Sequence, residues 1–521
     1  MASSNTCKAD LVLLGADVIT MSPVRPAAQA VAIRRNVVLR VGRDGEMHDL
    51  IGPGTEVIQC HGKCLLPGFH DAHIHLLACA SQILAVDCRP SAVSSIADIQ
   101  HAIQSRAELL SAGSWIRANG YDQFYLDEKR HPTRWDLDVA APHHPVKLQH
   151  RSQHACVLNS LALRIAGIDR SFSPPPGARI ELDPSTGEPT GLLYEMGHYL
   201  SENIIPSIED ADLRGGLEVV FNDLVAHGIT SVQDATDRNG LREWLLLRDF
   251  TARETKRPRV TMMVGQRHLA EVAESGLGHG DGGNWLRLGA VKIMLTESAD
   301  GFTPDQDSLF SLVWEAHRRG YPVAIHAIEE SAVCLAIEAI ANALERWPRG
   351  EHHHRLEHAS VVPPALLERM SELGISIVTQ PAFIYHSGER YLSDVDDHLH
   401  GWLYALRSML ASGIAVAAGS DAPVVPANPL SGIYAAVTRR SRQGQVLGAG
   451  EGISVVEALR LHTLAPAEVL GIDTQLGSIQ PGRLADLVLL TDNPISTPVH
   501  KLGEVRVEMT IVDGRVVFCG S

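Results

Sequence analysis

Three histidines and one aspartate fall within six residues in the stretch LPGFHDAHIHL, Leu66–Leu76. Two of them, His73 and His75, stand two positions apart. On an extended strand that spacing turns both rings to the same face. Two imidazoles converging from one strand can chelate a divalent metal. A polar strand end would hold the same residue types without binding anything, so the pair needs partners elsewhere in the chain.

Candidate partners interrupt or end later apolar runs. Lys292 sits in GAVKIML, His326 in AIHAI, His358 in LEHAS and Asp421 in GSDAPV. Each has a plainer explanation. A lone strand histidine can be a hydrogen-bonded core residue, and Asp421 can cap the following turn. Lys292 is harder to dismiss, because a buried cationic amine is costly unless it is paired or neutralised. A salt bridge to a strand-end acid would satisfy it. The triple histidine at 352–354 is taken as local loop and strand residues rather than ligands.

These residues can meet only if their strands end at one place. The middle of the chain alternates strand-like and helix-like segments. GITSVQDA, PRVTMMVG, LGAVKIMLT, YPVAIHAI, HHRLEHAS, GISIVTQPAF and GIAVAAGSDAPV follow the first histidine strand. Eight apolar strands in an α/β rhythm predict a (β/α)8 barrel (TIM barrel) of residues 67–84 plus 206–475, with a doubly wound open sheet as the alternative. In a barrel the polar residues named above would gather at the C-terminal mouth. Both terminal segments are rich in short strands, and Asp513-Gly514 between two β-rich runs predicts a hairpin. Residues 1–66 plus 476–521 are therefore expected to build one small composite β domain. The gap after the first strand is too long for a single helix, so 85–205 is expected to be an inserted α+β subdomain.

Bulk properties narrow the partners. The chain has 521 residues, 45% apolar and 20% charged, with a net charge of −16. That balance argues against nucleic acid or an anionic membrane as the main partner. No apolar stretch reaches the ~18 residues a membrane span needs, and MASSNTCKADLVLL lacks the pattern of a secretory signal. The eight cysteines are scattered and are expected to be reduced. The expectation is a cytoplasmic protein acting on a small-molecule substrate, with a homodimer as the candidate assembly.

The ordered set H-x-H, Lys, His, His, Asp resembles the amidohydrolase superfamily. LPGFHDAHIH, NGYDQ, HPVKLQHRSQHACVLNSLAL, TGLLYE, VAIHAI, RLEHA, TQP, GSDAPV and GSIQPGRLADLVLLTDNP are similar, in order and over nearly the whole chain, to amidohydrolase family 3. This is the YtcJ-like branch that includes the N-substituted formamide deformylases. The resemblance implies that His73, His75 and Asp421 hold one divalent ion, zinc being the first expectation, and that His326 and His358 hold a second. Lys292 would bridge the two as a carbamate formed with carbon dioxide. Asp421 and Lys292 would be the catalytic pair, with Asp421 moving protons during hydrolysis of an amide or N-formyl amine. Tyr121, Asp122, Gln123, Arg151, His154 and Gln380 are candidate substrate contacts, the alternative being fold-stabilising hydrogen bonds. One departure stands out. Thr296 lies four residues after Lys292 where the branch commonly has Asp, and Asp300-Gly301 follows later. Rival readings are a deaminase, a cyclic-amide, urea or carbamate hydrolase, a one-metal lyase or isomerase, and a non-catalytic scaffold.

Overall fold

The computed structural model describes residues 8–253, 257–298 and 301–520. The first histidine segment forms strand β1, Phe69–Ile74. It is followed by β2 (Ile229–Asp234), β3 (Arg259–Gly265), β4 (Leu286–Met294) and β5 (Val323–Ala327). The series ends with β6 (Arg355–His358), β7 (Ser376–Thr379) and β8 (Val416–Ala418). The eight lie side by side in sequence order, and every pair is parallel. A parallel bridge between Ile74 and Ala422 joins the last strand to the first. The expected α/β barrel is therefore present.

Closure needs a close approach at Gly419. A Cβ built there would lie 2.6 Å from His73 N and 2.6 Å from His73 Cβ, so only glycine lets the two strands meet. Outside, helices follow most strands. In Glu330–Arg346, after β5, Val333, Ala336, Ile337, Ile340 and Ala343 recur at helical spacing and are buried. Asp305 caps Gln306–Arg318 by accepting the Ser308 N–H at 2.9 Å. Pro364 opens Pro364–Leu373, and Gly374, at φ +70°, ends it. None of the helices among the described residues is long and apolar enough to cross a membrane.

By its contacts the chain divides into two compact units, residues 1–75 with 221–521, and residues 76–220. The first unit holds the barrel and three further sheets, one of them a two-stranded hairpin. One orders Arg515–Cys519, Val507–Val512, Leu487–Leu490, Cys64–Pro67, Asp17–Ile19 and Ala27–Ala28, so strands from both ends of the sequence interleave. Asp513 (φ +54°) and Gly514 (φ +74°) make its two-residue hairpin turn, the left-handed pair that such a turn requires. The Arg259 guanidinium at the start of β3 is buried against this layer, 2.6 Å from Asp486 and 2.9 Å from Asp513. The second unit is built on a six-stranded mixed sheet. Its core includes Ile99, Ile103, Ile116, Leu137, Leu148 and Val157.

Candidate metal centre

At the C-terminal end of the barrel the first and last strands bring His73, His75 and Asp421 together. One ligand atom from each lies within 4.8 Å of the others. Asp421 Oδ1 is 3.0 Å from His75 Nε2 and 3.4 Å from His73 Nε2. The backbone fixes this meeting. The Asp421 N–H donates to the His73 carbonyl at 2.7 Å, and the His75 N–H to that of Ala422 at 2.9 Å. Asp71 Oδ1 accepts the N–H groups of both His73 (3.1 Å) and Ser420 (2.9 Å), pinning β1 to the loop after β8. Burial pushes the Asp71 carboxyl up to about 6. Asp421 itself is left-handed at φ +58°, as is His358 at +71°. Such strain in non-glycine residues costs on the order of 1–3 kcal/mol and persists where the surroundings over-determine it.

The second pair of histidines adjoins the first. The His358 ring centroid is 4.9 Å from that of His73 and 4.5 Å from that of His326. Lys292, on β4, is 1% exposed. Burial drives its amine pKa down, while Glu357, Asp421 and Asp237 pull it back up. No hydrogen bond or ion pair to Lys292 Nζ is found among the described residues. The hairpin after β4 pairs Thr296–Ser298 with Gly301–Thr303; Asp300 lies outside the described residues.

Each of three imidazoles has its Nδ1 against a partner. His73 Nδ1 is 2.5 Å from Glu357 Oε2, His75 Nδ1 is 3.0 Å from Thr236 Oγ1, and His358 Nδ1 is 2.8 Å from Gln380 Oε1. A carboxylate and an amide oxygen only accept, so His73 and His358 carry their protons on Nδ1 and turn a lone pair outward at Nε2. His73 Nε2 is buried and has no hydrogen-bond partner. An orphaned lone pair beside a second imidazole and a carboxylate is what a divalent cation would satisfy, so the donor set fits one.

Burial drives the His73 imidazole down to about 3, and Lys292 adds to this, so the ring is neutral at ordinary pH, as a ligand must be. Burial by itself would raise the carboxyls of Glu357 and Asp421. Arg355 and His73 instead hold Glu357 well below the usual carboxylate range, and His73, His75 and His358 do the same for Asp421.

Glu357, Arg355 and Thr236 are functional neighbours that the sequence reading did not name. The signal was available in part: Arg355 and Glu357 are two charges at i, i+2 in an otherwise apolar strand. Gln380, read as a substrate contact, is fully buried with its oxygen on His358. The remaining candidates lie in the second unit. Tyr121 is fully buried with its hydroxyl 2.9 Å from His131 Nδ1. Asp122 lies 3.4 Å from Arg151 and 3.8 Å from His150. Burial opposes ionisation of its carboxyl, but the hydrogen bond from His150, the Phe124 N–H and Arg151 bring it down to about 2. Gln123 Oε1 is buried, and His154 pairs at 2.9 Å with Glu195.

Comparison with known proteins agrees with this geometry. A family model described as the amidohydrolase family matches residues 56–518. The chain is 30% identical to an N-substituted formamide deformylase of Arthrobacter pascens, over 97% of each chain. It is 28% identical to the putative amidohydrolase YtcJ of Bacillus subtilis, covering 97% of this chain and 98% of the relative. Among solved structures, an uncharacterized metal-dependent hydrolase from Pyrococcus horikoshii matches with a TM-score of 0.75 at 22% identity, covering 94% of this chain and 99% of that one.

Proposed function

The chain belongs to the amidohydrolase family, and on that premise we propose that it is a metal-dependent hydrolase of C–N bonds in small organic molecules, with amides and N-formyl amines as the substrate class. The observation that carries this reading is the bare, buried Nε2 of His73 facing His75 and Asp421. His73, His75 and Asp421 would hold one divalent ion, zinc by the character of the donors, and His326 and His358 a second. Lys292, as a carbamate, would bridge them, which also relieves the cost of a buried amine. When bound, the ions supply Lewis-acid polarisation of the scissile carbonyl and make the hydrolytic water more acidic.

The chain's own groups do the rest. Asp421 is held as a carboxylate by the imidazoles around it, so its oxygen accepts a proton from the attacking water and returns it to the leaving nitrogen. The C–N bond breaks, the carbonyl carbon gains the hydroxyl and the nitrogen gains the hydrogen. The formamide activity named for the relative from Arthrobacter is the basis for placing N-formyl amines first. All seven described cysteines are free, in keeping with a reducing cytoplasm.

The test is metal analysis of the purified protein with turnover of a panel of N-formyl amines, N-acyl amines, ureas and carbamates, before and after chelation. Activity on the first two classes that chelation abolishes and divalent ions restore is the expected result. A Lys292→Ala variant with full metal content and full activity would overturn the two-ion arrangement. Turnover confined to a lactone or an aminated heterocycle would overturn the amide assignment.

A further inference from the structure

We propose that Glu357 is a positioning residue that fixes the tautomer of His73 and strengthens it as a donor, so that the His73–His75–Asp421 position holds a divalent ion more tightly than it would without that carboxylate. This rests on the two-ion reading given above.

Three of the rings have groups of different charge behind them. His73 leans on a carboxylate, His358 on a neutral amide and His75 on a hydroxyl. An anionic acceptor forms the stronger hydrogen bond and pushes more electron density onto the far nitrogen. Both oxygens of Glu357 are committed: Oε2 takes His73 Nδ1–H at 2.5 Å, and Oε1 takes Arg355 Nε–H at 2.7 Å. Arg355 is itself buried and reaches Met263 Sδ at 3.6 Å, so the carboxylate cannot swing away. Nothing comparable backs His358, whose partner Gln380 has a buried amide nitrogen without a partner.

The two committed oxygens make a sharp prediction. In Glu357→Gln one oxygen becomes an NH2 group. The guanidinium, a donor only, claims the remaining oxygen. The NH2 then faces His73 Nδ1, which must accept, and the imidazole proton moves to Nε2, the side that should bind the ion. Replacing Arg355 by Met in the same protein frees the amide oxygen to turn to His73 and restores the tautomer without restoring the negative charge. It also removes both members of the buried ion pair, so no charge is left unpaired.

The experiment titrates metal-free protein with zinc in competition with a chromophoric chelator and reads two dissociation constants, with the melting temperature of each metal-free variant as the check on folding. The wild type is expected to show two constants. E357Q should weaken one constant by about 100-fold and leave the other nearly unchanged, while E357Q/R355M should weaken that same constant only about tenfold, within the usual range for partners behind a ligand. If E357Q fails to fold, the double variant carries the test through the same tenfold shift. Two unaltered constants, an equal shift in both, or a double variant weaker than the single one overturns the role of Glu357. A wild type that takes up no zinc overturns the two-ion reading instead.

Discussion

Replacing His462 by leucine should make the protein less sensitive to acid. His462 follows the helix Val455–Leu461 and is 5% exposed, and its Nε2 is buried without a hydrogen-bond partner. Burial, and nothing else, drives its imidazole down to about 3. An unfolded chain returns it to about 6.5. Between those values the unfolded state binds a proton that the folded state refuses. The stability His462 carries is therefore intact above pH 6.5 and is lost as pH falls below it. From pH 7.5 to 5.0 the loss spans about 1.5 pH units at 1.36 kcal/mol each, or ~2 kcal/mol. Other buried groups titrate too. Burial, with Arg355 adding to it, takes His70 down to about 3, and Asp71, raised to about 6, works in the opposite direction. They are present in both proteins and cancel in a double difference, as does the cavity the leucine leaves. The assay is urea denaturation followed by tryptophan fluorescence, for wild type and H462L, at pH 7.5 and 5.0. The wild type should lose about 2 kcal/mol more than the variant on acidification. Equal losses would refute the reasoning, because they would mean that His462 takes up no proton on unfolding.

Two further substitutions probe the frame around the metal centre. Gly419→Ala places a methyl group 2.6 Å from His73 N and should force β1 and β8 apart; a loss of roughly 1–3 kcal/mol together with weaker zinc binding is expected, and an unchanged melting temperature with unchanged affinity would show that the approach is slack. Arg259→Met removes the guanidinium from the buried carboxylate of Asp486 and the partly exposed one of Asp513. A cost of about 3–5 kcal/mol in urea denaturation is expected, and a loss below 1 kcal/mol would mean that the carboxylates find water.

The strand set and its chemical residues were readable because apolar runs are loud signals and polar residues at their ends stand out against them. His73, His75, Lys292, His326, His358 and Asp421 all break such runs, and the barrel collects them at one end. The supporting partners were quieter. Glu357 sits beside a histidine already claimed as a ligand, and a buried charge has no periodic mark to show which neighbour it serves. The histidine run at 352–354 reads as local loop and strand residues, and the structure buries two of them, His352 and His354, in specific hydrogen bonds. His354 Nδ1 accepts the Val323 N–H at 2.9 Å and its Nε2 meets His317 Nδ1 at 2.9 Å, while His352 Nδ1 accepts the His354 N–H at 2.9 Å. Val323 and His317 come from other segments, and local sequence cannot announce them. Contacts of the inserted region are obscure for the same reason: Tyr121 and His131, or His154 and Glu195, are joined by folding rather than by spacing.

The strand Cys64–Pro67 lies between Asp17–Ile19 on one side and Leu487–Leu490 on the other. One neighbour is made just before it, and the other only after the whole barrel. At roughly 5–20 residues per second on the ribosome, this strand waits on the order of tens of seconds with an open edge. During that interval a nascent chain offers unpaired backbone to any passing strand. A message cut short near its 3′ end therefore yields a product whose early sheet never finds its mate.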